Sequence, residues 1–199
     1  MEQKELNLAR IRDMYYKYGV KNFTMDDVAQ ELGISKRTLY QMVPTKNELV
    51  AKVLEEGLER FEKEMDRMLH STRGSIPKLY GMYQLFRSRT KSVTPVFVFS
   101  LGKSNPELAT EIRKKYRDLM VRVVADIMEE GQNQGDFISA FKADFPRLIA
   151  GYIFQLGTWH LSQEEEEIDL KSAFCIQVGG ICTEKGKKEL NRFMESLKD

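Results

Sequence analysis

The sequence predicts an all-α protein of about nine or ten helices, and three observations lead to that prediction. Apolar residues recur at intervals of three and four along most of the 199-residue chain, as on one face of a helix. Proline is scarce and glycines cluster at the ends of these periodic segments. The segment TPVFVFSLG suits a strand by composition, but no second strand-like segment is present to pair with it. We therefore predict a short buried helix there as well.

Local start and stop signals place the ends of the helices. The first helix is predicted to stop near Gly19, and the helix that opens at Asn105-Pro106 to run to about Gly131. A long fourth helix is predicted from Thr45 to about His70. Further helices are predicted to start at Ser75, at Asp144 and near Asp169, and the tail GKKELNRFMESLKD forms a last, exposed helix.

Composition excludes several classes of protein. The 31 basic and 30 acidic residues nearly cancel, so only local charge patterning can indicate a nucleic-acid partner. The N-terminus lacks the apolar core of a signal peptide, and no apolar stretch is long enough to span a bilayer. Two cysteines are too few for a disulfide framework and predict reduced thiols. We expect a cytoplasmic protein with no membrane segment.

The most informative stretch is FTMDDVAQELGISKRTLYQMVPTKNEL. Thr24 is placed as the N-cap of a second helix, with Asp27 completing a capping box. That helix ends at Gly33, which permits a sharp turn, and Ser35 then caps a very short third helix. Two short helices joined by a tight glycine turn predict a helix-turn-helix.

The third helix has a local charge pattern that suits DNA. Lys36, Arg37 and Lys46 are basic, and no acidic residue lies between Ser35 and Lys46. Three charges in twelve residues also fit an ordinary solvated helix, and charge alone favours that alternative. The caps, the turn glycine and the paired short helices reverse the balance toward major-groove binding. Hydroxyl and amide groups for DNA contacts come from Thr38, Tyr40, Gln41 and Thr45.

The first fifty residues resemble the N-terminal domain of the tetracycline-repressor (TetR) family of bacterial regulators. The resemblance is carried by the spacing from Tyr15 to Gly19, by Thr24 before the second helix, and by D-V-A-x-x-L-G-I-S-K-x-T-L-Y with Lys46 six residues after the tyrosine. Where the family usually has two aromatic residues after L-Y-x, this sequence has Met42 and Val43.

The resemblance implies two domains, a helix-turn-helix DNA-binding domain over residues 1–47 and a helical regulatory domain over 48–199. It further implies a repressor that binds a palindromic operator on double-stranded DNA as a homodimer and is released by a small molecule. The side chains it places on base edges are Lys36, Arg37 and Gln41, although Arg37 would also suit a phosphate. Those it places on phosphates are Thr24, Ser35, Thr38, Tyr40 and Lys46.

The regulatory domain is rich in aromatic residues, and the resemblance implies a ligand cavity and a dimer interface within it. We expect an apolar or amphipathic effector. The candidate ligand-binding residues are Tyr80, Tyr83, Phe86, Phe97, Tyr116, Phe154 and Trp159, each of which would equally suit a helical core. Helices around 146–162 and 169–182 are the candidate interface, with Ala150, Gly151, Phe154 and Gly157 as contacts. Packing within one subunit is the alternative role for those glycines.

No catalytic or metal-binding pattern accompanies these features. His70, His160, Cys175 and Cys182 lack the spacing of zinc ligands, and we predict neither metal nor cofactor. No nucleophile elbow, phosphate-binding glycine loop or zinc-protease motif is present, so we do not expect an enzyme. The alternatives are a DNA-binding regulator without a small-molecule ligand and, much more weakly, an all-α enzyme.

Overall fold

The computed structural model describes residues 6–139, 144–158, 161 and 169–197. Within these ranges the chain forms ten α-helices and one short 3₁₀ turn, as the sequence predicted. No helix in the described ranges is long and apolar enough to cross a membrane. The helices are α1 (Leu8–Tyr18), α2 (Met25–Glu31), α3 (Lys36–Met42), α4 (Lys46–Ser71), α5 (Ser75–Thr90), α6 (Pro95–Ser104), α7 (Pro106–Gln134), α8 (Phe145–Thr158), α9 (Leu170–Gly179) and α10 (Glu184–Ser196).

The helices form two compact units. The first contains Met1–Phe61 and Ser92–Lys115, and the second contains Glu62–Lys91 and Tyr116–Asp199. The long helices α4 and α7 therefore each give their N-terminal part to the first unit and their C-terminal part to the second. Because the first unit takes in α6 as well, it extends beyond the three-helix segment; the boundary at 47–48 stays a prediction.

In the first unit, α6 is fastened to the end of α1. The ambiguous segment TPVFVFSLG is helical, and the Thr94 side chain caps it by accepting from the Phe97 N–H at 3.2 Å. The same Thr94 hydroxyl donates to the backbone carbonyl of Tyr16. The Val20 N–H donates to Ser100 Oγ at 2.9 Å, which satisfies a buried backbone donor beyond the end of α1. These side-chain bonds fasten α6 to the C-terminal end of α1 and to the turn that follows it.

In the second unit, α5 packs against α8, α9 and α10. Its N-terminal Ser75 is fully buried and donates to Asp136 Oδ2 at 3.2 Å, while Lys185 donates to Asp136 Oδ1 at 2.9 Å. A nearly buried carboxylate is thereby paired, which offsets the cost of removing it from water. The loop after α7 and the start of α10 are anchored to α5 in this way.

The end of α7 differs from the prediction in one respect. The helix continues through Gly131 to Gln134 and ends at Gly135, whose φ of +75° suits glycine. Gly131 therefore lies within the helix. The position requires glycine because Phe137 folds back over it, and a Cβ there would be 2.2 Å from the Phe137 ring. Close packing, rather than helix termination, explains that glycine.

Candidate nucleic-acid interface

The α2–α3 pair is built by the local signals of the sequence. The Thr24 hydroxyl accepts from the Asp27 N–H at 3.2 Å, and Asp27 accepts from the Thr24 N–H at 2.7 Å, which completes the predicted capping box. Hydrogen bonds from Thr24 hold the pKa of the Asp27 carboxyl below its usual range. The turn follows at Gly33 with φ of +63°, and the Ser35 hydroxyl accepts from the Thr38 N–H at 3.0 Å to start α3. The predicted helix-turn-helix is confirmed.

One side of α3 faces outward as a continuous polar surface, called here the α3 face and formed by Lys36, Arg37, Tyr40 and Gln41. All four are exposed, and their spacing of one, four and five residues places them on one side of a helix. Leu39, on the opposite side, is fully buried. Leu39 thus anchors α3, and the four side chains of the α3 face are exposed to a binding partner.

The two positions where the sequence departs from the usual aromatic pair lie away from this face. Val43 is fully buried and Met42 is half-buried, so both belong to the packing beneath α3. The Met42 carbonyl accepts from Lys52 Nζ of α4 at 3.4 Å, which stabilises the C-terminal end of α3. Both positions therefore lie on the buried side of α3 and not among its exposed side chains.

The predicted phosphate-contacting side chains differ in the hydrogen bonds that they already form and in their burial. The Thr24 hydroxyl donates to Asp27 Oδ2 at 2.8 Å, and the Ser35 and Thr38 hydroxyls bond each other at 2.8 Å. Lys46 is half-buried, and burial lowers the pKa of its ammonium while nearby Asp27 opposes that change. The hydroxyls are therefore already ordered, which limits the entropy lost if a phosphate binds them.

One charged neighbour of the α3 face was missed by the sequence analysis. Asp26 of α2 lies 2.9 Å from Lys36 Nζ, and this hydrogen bond raises the pKa of the lysine. The stretch from Ser35 to Lys46 holds no acid, but the crossing of α2 over α3 supplies one from ten residues earlier. Only the tertiary arrangement of the two helices reveals this pair.

The candidate ligand-binding aromatics divide between the two units. In the second unit, Tyr80, Tyr83 and Phe86 are buried on α5, and Phe154 packs against Phe86 with ring centroids 5.4 Å apart. Phe97 belongs to the first unit, where its ring lies 4.6 Å from that of Tyr16. Tyr116 is half-buried, and Trp159 lies outside the described residues. A ligand role for these residues stays a prediction.

A groove of about 410 Å³ lies in the second unit between α8 and α9. Asp169, the N-cap of α9, lines this groove, and its carboxylate accepts from Ser172 Oγ at 2.5 Å. Nearby, the buried hydroxyl of Tyr83 has no hydrogen-bond partner among the described residues. The groove is lined by Tyr152, Gln155, Leu156, Asp169, Ser172, Ala173 and Ile176, of which the sequence analysis had singled out only Asp169, as a helix start.

The candidate dimer contacts on α8 also differ in their surroundings. Gly151 is exposed with open space around it, whereas Ala150 is buried and Phe154 half-buried. A Cβ on Gly157 would lie 2.4 Å from the ring of Phe86, so this glycine is needed for packing between α8 and α5. Packing within one subunit, the alternative role, accounts for Gly157. The interface itself stays a prediction.

The described residues contain no cluster of three or more His, Cys, Asp or Glu side chains that would hold a metal ion. Cys182 is buried and Cys175 is half-buried, and both are free thiols. Burial raises the pKa of the Cys182 thiol to about 11. Two surfaces in the described part of the chain are candidates for binding, the α3 face and the groove between α8 and α9.

The ordered helix-turn-helix and the exposed polar third helix of the first unit place this chain in the class of helix-turn-helix proteins. Residues 8–53 match the family described as bacterial regulatory proteins, tetR family. By sequence the match to this family covers the N-terminal domain, and over most of its length the chain resembles solved regulators in fold. Among curated proteins, none matches the sequence.

Solved structures extend the likeness in fold to the second unit. A protein of Saccharomonospora viridis described as a transcriptional regulator in complex with choline is 18% identical, with a TM-score of 0.72 over 88% of this chain and 95% of that one. Escherichia coli NemR in its reduced form is 13% identical, with a TM-score of 0.71 over 92% and 98%. AibR in complex with isovaleryl coenzyme A and operator DNA is 14% identical, with a TM-score of 0.61 over 87% and 95%. At these identities the likeness concerns the fold.

Proposed function

We propose that this protein is a transcriptional repressor that binds a palindromic operator on double-stranded DNA as a homodimer and is released by a small-molecule effector. The observation that carries the proposal is the α3 face, an exposed row of basic, amide and phenol groups on a helix that is anchored by a buried leucine. A solved relative in fold, AibR, was crystallised with both an acyl coenzyme A and operator DNA. Operator binding places the protein in the cytoplasm.

In this proposal, α3 enters the major groove and its side chains divide the work. Arg37 and Gln41 reach base edges, because a guanidinium suits guanine and an amide suits adenine. Lys36 stands beside them and contacts the edge of a base or the adjoining backbone. Register on the duplex comes from phosphate contacts of Thr24, Ser35, Thr38, Tyr40 and Lys46.

The proposed dimer forms through α8 and α9, which carry exposed apolar residues. Leu148 has 65% of its surface exposed and Ile176 has 76%, both unusually high for large apolar side chains on structured helices. With the open space around Gly151, they provide an apolar surface that a second copy would bury. Two-fold pairing of α8 and α9 then presents two α3 faces to a palindromic site.

The proposed effector is apolar or amphipathic and binds in the second unit near α5, α8 and α9. Tyr152 and Leu156 give the groove apolar walls, and the groove shares Ile176 with the proposed dimer surface, so the effector would bind beside that surface. The buried Tyr83 hydroxyl has no hydrogen-bond partner among the described residues. The effector must prefer the conformation in which the two α3 faces are wrongly spaced. α4 is the proposed lever, because it starts four residues after α3 and ends in the second unit. A coupling of roughly 1–3 kcal/mol would lower operator affinity about 5- to 150-fold.

Two experiments test the proposal in sequence. First, DNA fragments retained by the purified protein from a random pool are sequenced and searched for a palindrome. Second, compounds that raise the thermal stability of the protein are tested for release of that DNA. Specific DNA binding without any releasing compound in a broad screen would replace this proposal by that of a regulator without a small-molecule ligand.

A further inference from the structure

The α3 face contains two cations whose surroundings differ. Lys36 Nζ is 2.9 Å from the Asp26 carboxylate, and 61% and 59% of the two side chains remain exposed. Arg37, the neighbouring cation on the same helix, is exposed and forms no hydrogen bond or ion pair within the described ranges. Two adjacent basic residues are therefore unequal in the charge that they offer to DNA.

We propose that Asp26 acts as an intramolecular counterion to Lys36 and thereby limits the sequence-independent part of DNA binding. The inference rests on the proposed function. A phosphate that binds Lys36 must displace the Asp26 carboxylate, because both anions compete for the same ammonium. It must also approach a carboxylate of its own sign. Lys36 consequently adds less to DNA attraction than a free lysine would, whereas Arg37 adds its full charge.

Sequence-independent binding is where this competition matters most. Such binding arises essentially from phosphate neutralisation and counterion release, whereas a specific complex also has base contacts. An exposed ion pair of this kind is weak, so its loss is expected to change affinity by roughly 1.4- to 5-fold. Asp26 thus lowers the affinity for nonspecific DNA by competing for Lys36, without itself contacting the DNA.

Neighbouring acids on α2 do not share this position. Asp27 accepts from both the N–H and the hydroxyl of Thr24 and completes the capping box of α2. Glu31, at the other end of α2, accepts from Arg10 of α1 at 2.7 Å, and 40% of its side chain is exposed, against 59% for Asp26. Glu31→Gln therefore removes the same charge from the same helix while releasing a cation that is not on the α3 face. It is the matched control.

The test measures binding of the full-length protein to a random-sequence duplex and to its selected operator, over a range of salt concentrations. The variants are Asp26→Asn, Lys36→Met, the double variant and Glu31→Gln, each checked for an unchanged unfolding temperature. Asp26→Asn is expected to tighten random-duplex binding roughly 1.4- to 5-fold for each protomer. The salt slope should steepen by up to about 0.9 for each released Lys36.

The dependence on Lys36 decides the outcome. When Lys36 is methionine, Asp26→Asn is expected to give only the small gain that Glu31→Gln gives. An equal gain with and without Lys36, or no gain beyond that of Glu31→Gln, overturns the inference while leaving the proposed function intact. A wild-type protein that binds its selected operator no better than random duplex overturns the proposed function, and this inference with it.

Discussion

Arg37 and Gln41 are the side chains on which sequence discrimination is expected to depend. Replacement of either by alanine should cost about 1–3 kcal/mol of discrimination at one base position, because a bidentate contact to that base is lost. Fluorescence anisotropy with the selected operator and its single-base variants measures this loss. The matched change Lys46→Ala should weaken all sequences alike and reduce the salt slope by about 0.9 per protomer. If Arg37→Ala and Gln41→Ala also weaken all sequences equally, α3 does not read bases.

The two thiols are expected to react at different rates. Burial raises the pKa of Cys182 to about 11, and Cys182 is only 4% exposed. Because the thiolate is the reactive form, its alkylation at neutral pH should be far slower in the native protein than in denaturant, and should accelerate as pH rises toward 11. Cys175, which is half-buried, should be labelled first. Mass spectrometry after timed alkylation checks this, and equal native labelling of both thiols would contradict it.

At the level of single residues, sequence predicts the interactions that are local. The Thr24–Asp27 and Ser35–Thr38 bonds follow from short spacing, because a cap needs only the next three residues. The Asp26–Lys36 pair joins residues ten apart on two helices, and its formation depends on how those helices cross. Local spacing alone does not predict that crossing.

At the scale of whole elements, the docking of α10 provides a stability test. A Cβ on Gly186 would lie 1.9 Å from the backbone oxygen of Asp136, so Gly186→Ala must displace backbone. We expect a loss of roughly 1–3 kcal/mol in the free energy of unfolding, as for other overpacked sites. Gly102→Ala is the control, since nothing lies within 4 Å of a Cβ added there. Alanine is also favoured over glycine in a helix by about 1 kcal/mol. Urea denaturation measures the free energy of unfolding of both variants. A Gly186→Ala protein as stable as the Gly102→Ala protein would contradict the close packing of α10.

Element identity was predictable from periodicity, and element ends less so. α6 was assigned from the lack of a partner strand, and the structure confirms it as a helix with Thr94 as its cap. α7 runs past Gly131 because that glycine accommodates Phe137 from the loop beyond. A glycine that ends a helix and one that admits a neighbouring ring have the same sequence signal, and only tertiary packing distinguishes them.

At the scale of the whole molecule, assembly is the first quantity to measure. Leu148→Glu and Ile176→Glu should each yield a folded monomer that binds operator weakly, because they place a charge in the proposed apolar interface. Phe99→Glu is the control, since Phe99 is 71% exposed but lies on α6. Gly157→Glu is unsuitable as a test, because it would disrupt packing against Phe86 within the subunit. Sedimentation of a monomeric wild type at micromolar concentration would contradict the proposed dimer.

The limits of sequence reasoning also differ between the two units. The helix-turn-helix is specified by caps and a turn that lie within about thirty residues, so its local geometry was predictable in detail. The second unit is held by contacts between distant segments, such as Ser75 with Asp136. Its aromatic residues therefore had no predictable partners, and its groove is lined by residues such as Tyr152 and Ile176 that only the packing of α8 on α9 brings together.

The most direct test of operator recognition is the affinity of the wild-type protein for DNA selected from a random pool, compared with random duplex at physiological salt. We expect a palindrome whose half-sites lie about one helical turn or somewhat more apart, so that two α3 faces occupy successive major grooves. Binding to that palindrome should be about 10³-fold or more tighter than to random duplex. Selected DNA that shows no palindrome and binds no more tightly than random duplex would contradict the proposed operator recognition by two α3 faces.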